Sequence, residues 1–204
     1  FVGATGTTAK LPDAKTVWTA PADAALGTDK PVTLTWDDGA GLIFTREISI
    51  NDHYVFTVSQ TVQNNTPAAI AIIPYGRIQR QDTPVVAGWW VFFEGMLAFV
   101  GDKLQEVNYT DVQGAEQPTR VDSLGGWLGF TDKYWAATLI PDQTLSLSSS
   151  FQHQLQNNRD VYQVDYLAKE AIIVQPGTTA VYKDQLFAGA RPSAKNTIFH
   201  GLIS

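Results

Sequence analysis

Three histidines are the first residues to consider for chemistry, because an imidazole can carry protons or ligate a metal near neutral pH. They are His53, His153 and His200, which lie far apart in the sequence. None belongs to an HExxH pattern or another closely spaced ligand pair, so the fold alone would have to assemble a metal site. We interpret them as partly exposed or hydrogen-bonded histidines and predict no metal site.

Carboxylates are the second group that could move protons. Asp37 and Asp38 are neighbours, but in a turn such residues are usually solvated caps. Glu94 interrupts the very apolar stretch 85–101, and a buried glutamate with a raised pKa would be a general-acid candidate. The pair Glu94-Gly95 also reads as a turn between two strands, and we favour this surface position for Glu94.

The remaining nucleophile signatures are absent from the sequence. No GxSxG pattern occurs, and Ser146, Ser148, Ser149 and Ser150 follow a strand pattern that we interpret as a solvent-facing polar edge. The chain has no cysteine, which excludes disulfides, thiolate zinc sites and cysteine nucleophiles. We therefore predict a protein that is not an enzyme and uses no cofactor.

Composition limits the partners. The net charge of −6 and the pI of about 4.9 argue against nucleic-acid binding and against docking on anionic lipid. The most apolar stretch, 85–101, contains Glu94 and is shorter than the roughly 20 residues that a bilayer span needs.

Strand periodicity dominates the chain. Leu42, Phe44, Ile48 and Ile50 alternate with more polar residues, as expected for a half-buried strand, and a turn at 51–52 precedes a second strand at 54–62. Many further short strands follow, so we predict one large antiparallel β-sandwich over 1–204. Pro74 lies inside the predicted strand 69–80, where it removes one ladder donor and indicates an edge or a bulge.

Three segments do not read as regular strands. We predict irregular structure for 1–16 and for 111–119, which are rich in turn-forming residues. The tail 191–204 is the one place for a short helix, because Ile198, Phe199, Leu202 and Ile203 would form an apolar stripe.

Aromatic residues are the strongest binding signal. Trp89 and Trp90 are consecutive, so in a strand they would face opposite sides, with one in the core and the other on an outer surface or a groove. We name Trp89, Trp90, Phe92 and Tyr134 as candidate residues of a groove that binds a peptide or a protein partner.

Seven stretches recur in an order and spacing that resemble one family. They are 16–18 (TVW), 31–39 (PVTLTWDDG), 48–63 (ISINDHYVFTVSQTVQ), 74–80 (PYGRIQR), 125–135 (GGWLGFTDKYW), 140–143 (IPDQ) and 186–190 (LFAGA). Together they resemble the large periplasmic domain of the bacterial YidC membrane-protein insertase family. The tail 191–204 departs from the usual continuation of that family.

The resemblance implies a twisted sandwich similar to galactose mutarotases, located in the periplasm as part of an inner-membrane protein. It also implies partners, namely subunits of the Sec translocon and nascent membrane proteins. The mutarotase likeness leaves an alternative open, an aldose-epimerase-like or carbohydrate-binding protein. That alternative predicts a pocket where a histidine and a glutamate converge on one ligand oxygen.

Overall fold

Strands make up most of the computed structural model, which describes residues 1–84 and 93–190. The predicted all-β, antiparallel class is confirmed. In chain order the elements are β1 (Val2–Gly3), β2 (Val32–Asp37), β3 (Leu42–Ile50), β4 (Val55–Asn64), β5 (Ile70–Ile73), β6 (Tyr75–Gln81), β7 (Gly95–Val100), β8 (Lys103–Val107), α1 (Tyr109–Val112), β9 (Thr119–Leu124), β10 (Trp127–Thr131), β11 (Trp135–Ile140), β12 (Ser146–Gln156), β13 (Arg159–Ala168), β14 (Ile172–Val174) and β15 (Thr178–Ala190).

The strands form one large sheet and two smaller ones. The large sheet has eight strands in the order β2-β3-β4-β15-β11-β10-β7-β8. A four-stranded sheet, β6-β13-β12-β9, and a three-stranded sheet, β1-β5-β14, complete the described part of the fold. Both smaller sheets cover the same face of the large sheet. Ala180 of β15 packs in the core under the three-stranded sheet and Leu186 in the core under the four-stranded sheet, and residues an even number of positions apart on a strand share one face.

Two separate cores lie under the two smaller sheets. Under the four-stranded sheet, Met96, Leu128 and Phe130 of the large sheet pack against Phe151 and Tyr162. Under the three-stranded sheet, the core is smaller and consists of Leu42, Phe44, Val62, Ile70, Ile72 and Val174. The second β-sheet layer is therefore split, and β15 runs beneath the division between its two parts.

The connection at Pro74 is what splits this layer. The sequence predicted one strand over 69–80 with an edge or bulge at the proline, but the chain instead forms β5 and β6 in two different sheets. β6 is an edge strand, as the proline indicated. Gly76, two residues later, lies directly on Tyr166, where a Cβ atom would be 2.4 Å from the ring.

Several local predictions need correction. Ser149 and Ser150 are 0% and 1% exposed, so the serine cluster is not a solvent-facing edge, because β12 is a central strand with neighbours on both sides. The segment 111–119 is not wholly irregular, since α1 and β9 overlap it. The segment 1–16 contributes β1, which pairs with β5. The predicted helix in 191–204 lies outside the described residues.

Candidate functional site

The candidate site is a groove at the free edge of the four-stranded sheet. β6 pairs with β13 on one side, and within residues 1–84 and 93–190 no strand pairs with its other edge. That edge lies over the inner face of the large sheet and leaves a groove of about 330 Å³. Backbone N–H and C=O groups on an unpaired edge can accept an additional strand.

Small side chains form the floor of the groove. Ala137 of β11 and Ala188 of β15 are paired with each other in the large sheet and both line the groove. Because neither side chain extends beyond a methyl group, the floor has room for the side chains of a bound segment. Trp135 forms one wall and is 64% exposed, and the β6 residues 78–80 form the opposite wall.

An ion pair lies in the lining of the groove. The guanidinium of Arg80 on β6 donates a short hydrogen bond to the carboxylate of Asp132, which follows β10. The pair joins the small sheet to the large one, and the two side chains are 27% and 31% exposed. Burial, the largest single influence, lowers the pKa of Arg80, but the hydrogen bond to Asp132 together with the electrostatic interactions with Tyr109 and Asp132 more than offsets it, so the pKa is raised.

Tyr109 supports the ion pair from below. The guanidinium carbon of Arg80 lies 5.7 Å from the centre of the Tyr109 ring, a cation–π distance. Burial raises the pKa of Tyr109 to about 12, against the opposing influence of Arg80. The phenol is therefore neutral at physiological pH, and the ion-pair partner of Arg80 is Asp132. The groove thus combines an apolar floor with a fixed pair of charges, which suits binding better than proton transfer.

A second, wider groove lies at the opposite end of the large sheet. It has a volume of about 550 Å³, and its walls come from the N-terminal segment 5–10 and from the turns that contain Asp38, Ala40 and Thr66. Its lining contains no aromatic residue. We therefore favour the smaller groove beside β6, which has the aromatic wall, as the functional site.

The four predicted groove residues have different outcomes. Tyr134 is 65% exposed and lies in the turn between β10 and β11, next to Trp135 on the groove wall. Trp89, Trp90 and Phe92 lie outside the described residues. Glu94 is partly exposed and directly precedes β7, in agreement with the surface position that we favoured.

Neither of the two described histidines, His53 and His153, is hydrogen-bonded to a glutamate. The Nε2 atom of His153 is 2.8 Å from Asp160, on the adjacent strand, and the His153 side chain is 12% exposed. His53 is exposed in a turn, and His200 lies outside the described residues. Within the described ranges, no hydrogen bond joins a histidine to a glutamate, and no group of three or more potential metal ligands occurs.

Sequence reasoning missed most of the groove. Arg80, Asp132, Ala137 and Ala188 were not singled out, although three of the seven resemblance stretches, 74–80, 125–135 and 186–190, contribute residues to it. Trp135 was noted only as one of several aromatic residues. The convergence of the three stretches was the available signal, but only the strand pairing shows that they meet.

Comparison with known proteins identifies the family. The model of the YidC periplasmic domain matches residues 1–195. The chain is 41% identical over 192 residues to the membrane protein insertase YidC of Nitrobacter hamburgensis, covering 94% of this chain and 31% of that protein. It is 44% identical over 191 residues to that of Methylobacterium nodulans, covering 89% of this chain and 31% of the relative.

Solved structures show the same fold at low identity. A galactose mutarotase related enzyme from Lactobacillus acidophilus matches with a TM-score of 0.59 at 8% identity, over 87% of this chain and 72% of that one. The Slr1438 protein from Synechocystis sp. PCC 6803 matches with a TM-score of 0.53 at 8% identity, over 85% of this chain and 66% of that one. At this identity the likeness concerns the fold alone. 

The chain spans about three-tenths of the length of the curated relatives. No helix in the described ranges is both long and apolar enough to cross a bilayer. The match to the family model over 1–195 shows that the chain belongs to the YidC periplasmic domain family.

Proposed function

We propose that this domain is a non-catalytic, periplasmic part of an inner-membrane protein insertase, and that its groove beside β6 binds extended polypeptide. The observation that carries the proposal is the meeting of three resemblance stretches, 74–80, 125–135 and 186–190, at one groove. Family membership supports the insertase role, and the groove supplies a place where the domain can contact another protein.

The geometry favours an extended segment over a helix. The free edge of β6 offers backbone hydrogen bonds, which give affinity without requiring a particular sequence. Alternate side chains of an added strand would point towards the floor at Ala137 and Ala188, where the small residues leave space. A site of this kind accepts many apolar segments, as an insertase that handles many membrane proteins requires.

The partners that we propose are nascent membrane proteins, with subunits of the Sec translocon as a second class. Both expose apolar or extended segments near the membrane. The ion pair between Arg80 and Asp132 contributes to the lining of the groove without adding net charge, so it would not repel an apolar segment. 

The proposal is tested by crosslinking in the intact parent protein. A photoreactive phenylalanine derivative replaces Trp135, on the groove wall, in living cells during membrane-protein synthesis. We expect covalent adducts with newly made membrane proteins or translocon subunits. The matched control carries the same derivative in place of Ala40, which lines the wider groove at the opposite end.

The two positions give opposite expectations. If adducts form equally from both positions, or only from position 40, the groove beside β6 is not the contact site. A filling variant, Ala188→Phe, gives an independent check, because its ring would occupy the groove. It should lower the yield of adducts from position 135 and leave the folded domain intact; an unchanged yield would contradict the proposal.

A further inference from the structure

Three exposed aromatic residues lie at the same end of the large sheet. They are Tyr54, Tyr134 and Trp135, which are 59%, 65% and 64% exposed. Tyr54 directly precedes β4, the other two lie at the start of β11, and β15 ends between these strands at Ala190. We call this edge, formed by 51–54, 132–135 and Ala190, the aromatic rim.

The strand register places these residues near one another. Val55 pairs with Phe187, and Trp135 pairs with Ala190, so Tyr54 and Trp135 flank the last residues of β15. The Tyr54 carbonyl accepts a hydrogen bond of 3.1 Å from the Ala188 amide. Because adjacent strands are about 4.8 Å apart, the strands that begin beside Tyr54 and Trp135 are about 10 Å apart.

The polar tips of these side chains are not used inside the fold. Within the described ranges, the hydroxyls of Tyr54 and Tyr134 and the indole N–H of Trp135 have no hydrogen-bond partner. Tyr54 also adopts φ 59°, in the left-handed region that bulky residues rarely occupy. Aromatic side chains with an apolar body and a free polar tip are enriched at the boundary between lipid and water.

The opposite rim has a different character. We call the turns at 37–41, 64–69 and 175–178 the polar rim; it carries Asp37 and Asp38 and no aromatic residue. On the aromatic rim, Arg80 neutralises Asp132, and the Lys133 ammonium lies 5.1 Å from the centre of the Tyr134 ring. Among the described residues, the exposed aromatic side chains are therefore concentrated on one rim, whereas each rim carries two aspartates, Asp37 and Asp38 on the polar rim and Asp52 and Asp132 on the aromatic rim.

We propose that the aromatic rim rests in the headgroup layer of a lipid bilayer, with Tyr54, Tyr134 and Trp135 as interfacial anchors. The polar rim then points away from the membrane. β15 ends on the aromatic rim, at Ala190. Trp135 is shared with the groove beside β6, but Tyr54 and Tyr134 do not line that groove, so the lipid contact that they make is separate from peptide binding.

Flotation with lipid vesicles tests the proposal on the 204-residue chain. We expect the chain to float with phosphatidylcholine vesicles, and the variant Tyr54→Ser/Tyr134→Ser/Trp135→Ser to bind about tenfold more weakly. The matched control, Leu104→Ser/Leu124→Ser/Leu155→Ser, removes three side chains of comparable exposure, 55%, 69% and 69%, and should bind as the parent chain does. Thermal unfolding confirms that both variants are folded.

Other outcomes overturn the proposal. The aromatic rim is not a membrane contact if the parent chain fails to float, if both triple variants float equally, or if binding requires anionic lipid. Because the net charge is −6, we expect added phosphatidylglycerol to weaken binding. Sedimentation without vesicles identifies a competing occupant: a dimer that the aromatic variant abolishes would assign the rim to a second copy of the chain.

Discussion

The two rims of the large sheet differ in their exposed side chains, although Asn51 of the aromatic rim accepts hydrogen bonds from turn amides as Asp38 does on the polar rim. On the polar rim, Asn64 is 0% exposed, and its side chain donates to the carbonyls of Ala68 and Val174 at 2.8 and 2.9 Å. Asp38 accepts hydrogen bonds from the amides of Ala40 and Leu42. The polar groups there are used to hold turns in place.

On the aromatic rim the conspicuous side chains hold nothing in place. Tyr54, Tyr134 and Trp135 leave their polar tips without partners in the described residues and expose more than half of their surface. Hydrogen-bonded residues in turns are explained by the fold itself, whereas exposed aromatic residues that the fold does not need indicate contact with something else. The contrast therefore separates residues kept for structure from residues available for function.

The largest expected effect comes from Gly129, in the middle of β10 beneath the groove. A Cβ atom there would lie 2.0 Å from the backbone oxygen of Ala137, so the strand that supports the aromatic rim would have to move. We expect Gly129→Ala to lower the free energy of unfolding by about 4 kcal/mol or more, measured by chemical denaturation.

Gly39 on the polar rim is the matched control for this glycine. It adopts φ +75° with no other atom near the position of an added Cβ. Gly39→Ala should therefore lower the free energy of unfolding by only about 1 kcal/mol, from backbone strain alone. Equal losses for the two variants would show that close packing under the groove does not distinguish the two regions.

The next effect concerns Asn64. The change Asn64→Ala removes two donated hydrogen bonds and two accepted from Thr66, and takes this donor from the carbonyl of the buried residue Val174. We expect a loss of about 3 kcal/mol in the free energy of unfolding. Asn65→Ala, at an exposed neighbour, should cost less than about 0.5 kcal/mol. A small loss for Asn64→Ala would mean that the polar rim is not held by this side chain.

The sequence predicted the central strands well because their alternation is strong. The predicted strands at 127–131 and 135–140 coincide with β10 and β11, whose residues are mostly buried. The strands β8 and β9 were missed, because both lie at sheet edges and expose most of their residues. Polar and charged side chains therefore occur on both faces of these strands, and the sequence does not alternate between apolar and polar residues. β1 was missed because it has only two residues.

The groove was harder to predict than the fold. It forms where β6 approaches β11, and these strands are joined by tertiary packing rather than by a shared turn. Ala137 and Ala188 matter because they are small, a property that carries no signal in a single sequence. Tyr134 could be named because an aromatic residue beside a turn is recognisable as exposed, whereas Ser150 was misplaced because its hydrogen bond to Asp165 depends on the neighbouring strand.

A pH effect is expected midway between the rims, at Asp184 on β15. Burial raises the pKa of Asp184, although hydrogen bonding to Tyr166 and the charge of Arg46 oppose the shift. A carboxyl whose pKa is higher in the folded state stabilises the fold when protonated, and this contribution is lost as pH rises through the folded-state pKa. Asp184→Asn should therefore raise the free energy of unfolding at neutral pH and remove this part of its pH dependence.

Asp82 provides a control of opposite sign. The Arg159 guanidinium lowers the pKa of Asp82, so its contribution to stability is present at neutral pH and is lost as pH falls. Asp82→Asn should lower the stability at neutral pH and flatten the profile on the acid side. Titrations of unfolding free energy against pH distinguish the two, and a fall in neutral-pH stability for Asp184→Asn would show that Asp184 is needed as a charged partner of Arg46.

The smallest effect on stability is expected at Tyr134, on the aromatic rim. The side chain is 65% exposed, and within residues 1–84 and 93–190 its one ring contact is with the Lys133 ammonium, so Tyr134→Ala should lower the free energy of unfolding in denaturant by less than about 0.5 kcal/mol. Tyr162→Phe is the contrasting variant, because the buried hydroxyl of Tyr162 contacts Thr83 and accepts from Gln113, and its loss should cost about 1–2 kcal/mol. If Tyr134→Ala proved the more damaging of the two, the aromatic rim would be a structural element like the polar rim, and its exposure would no longer indicate a partner.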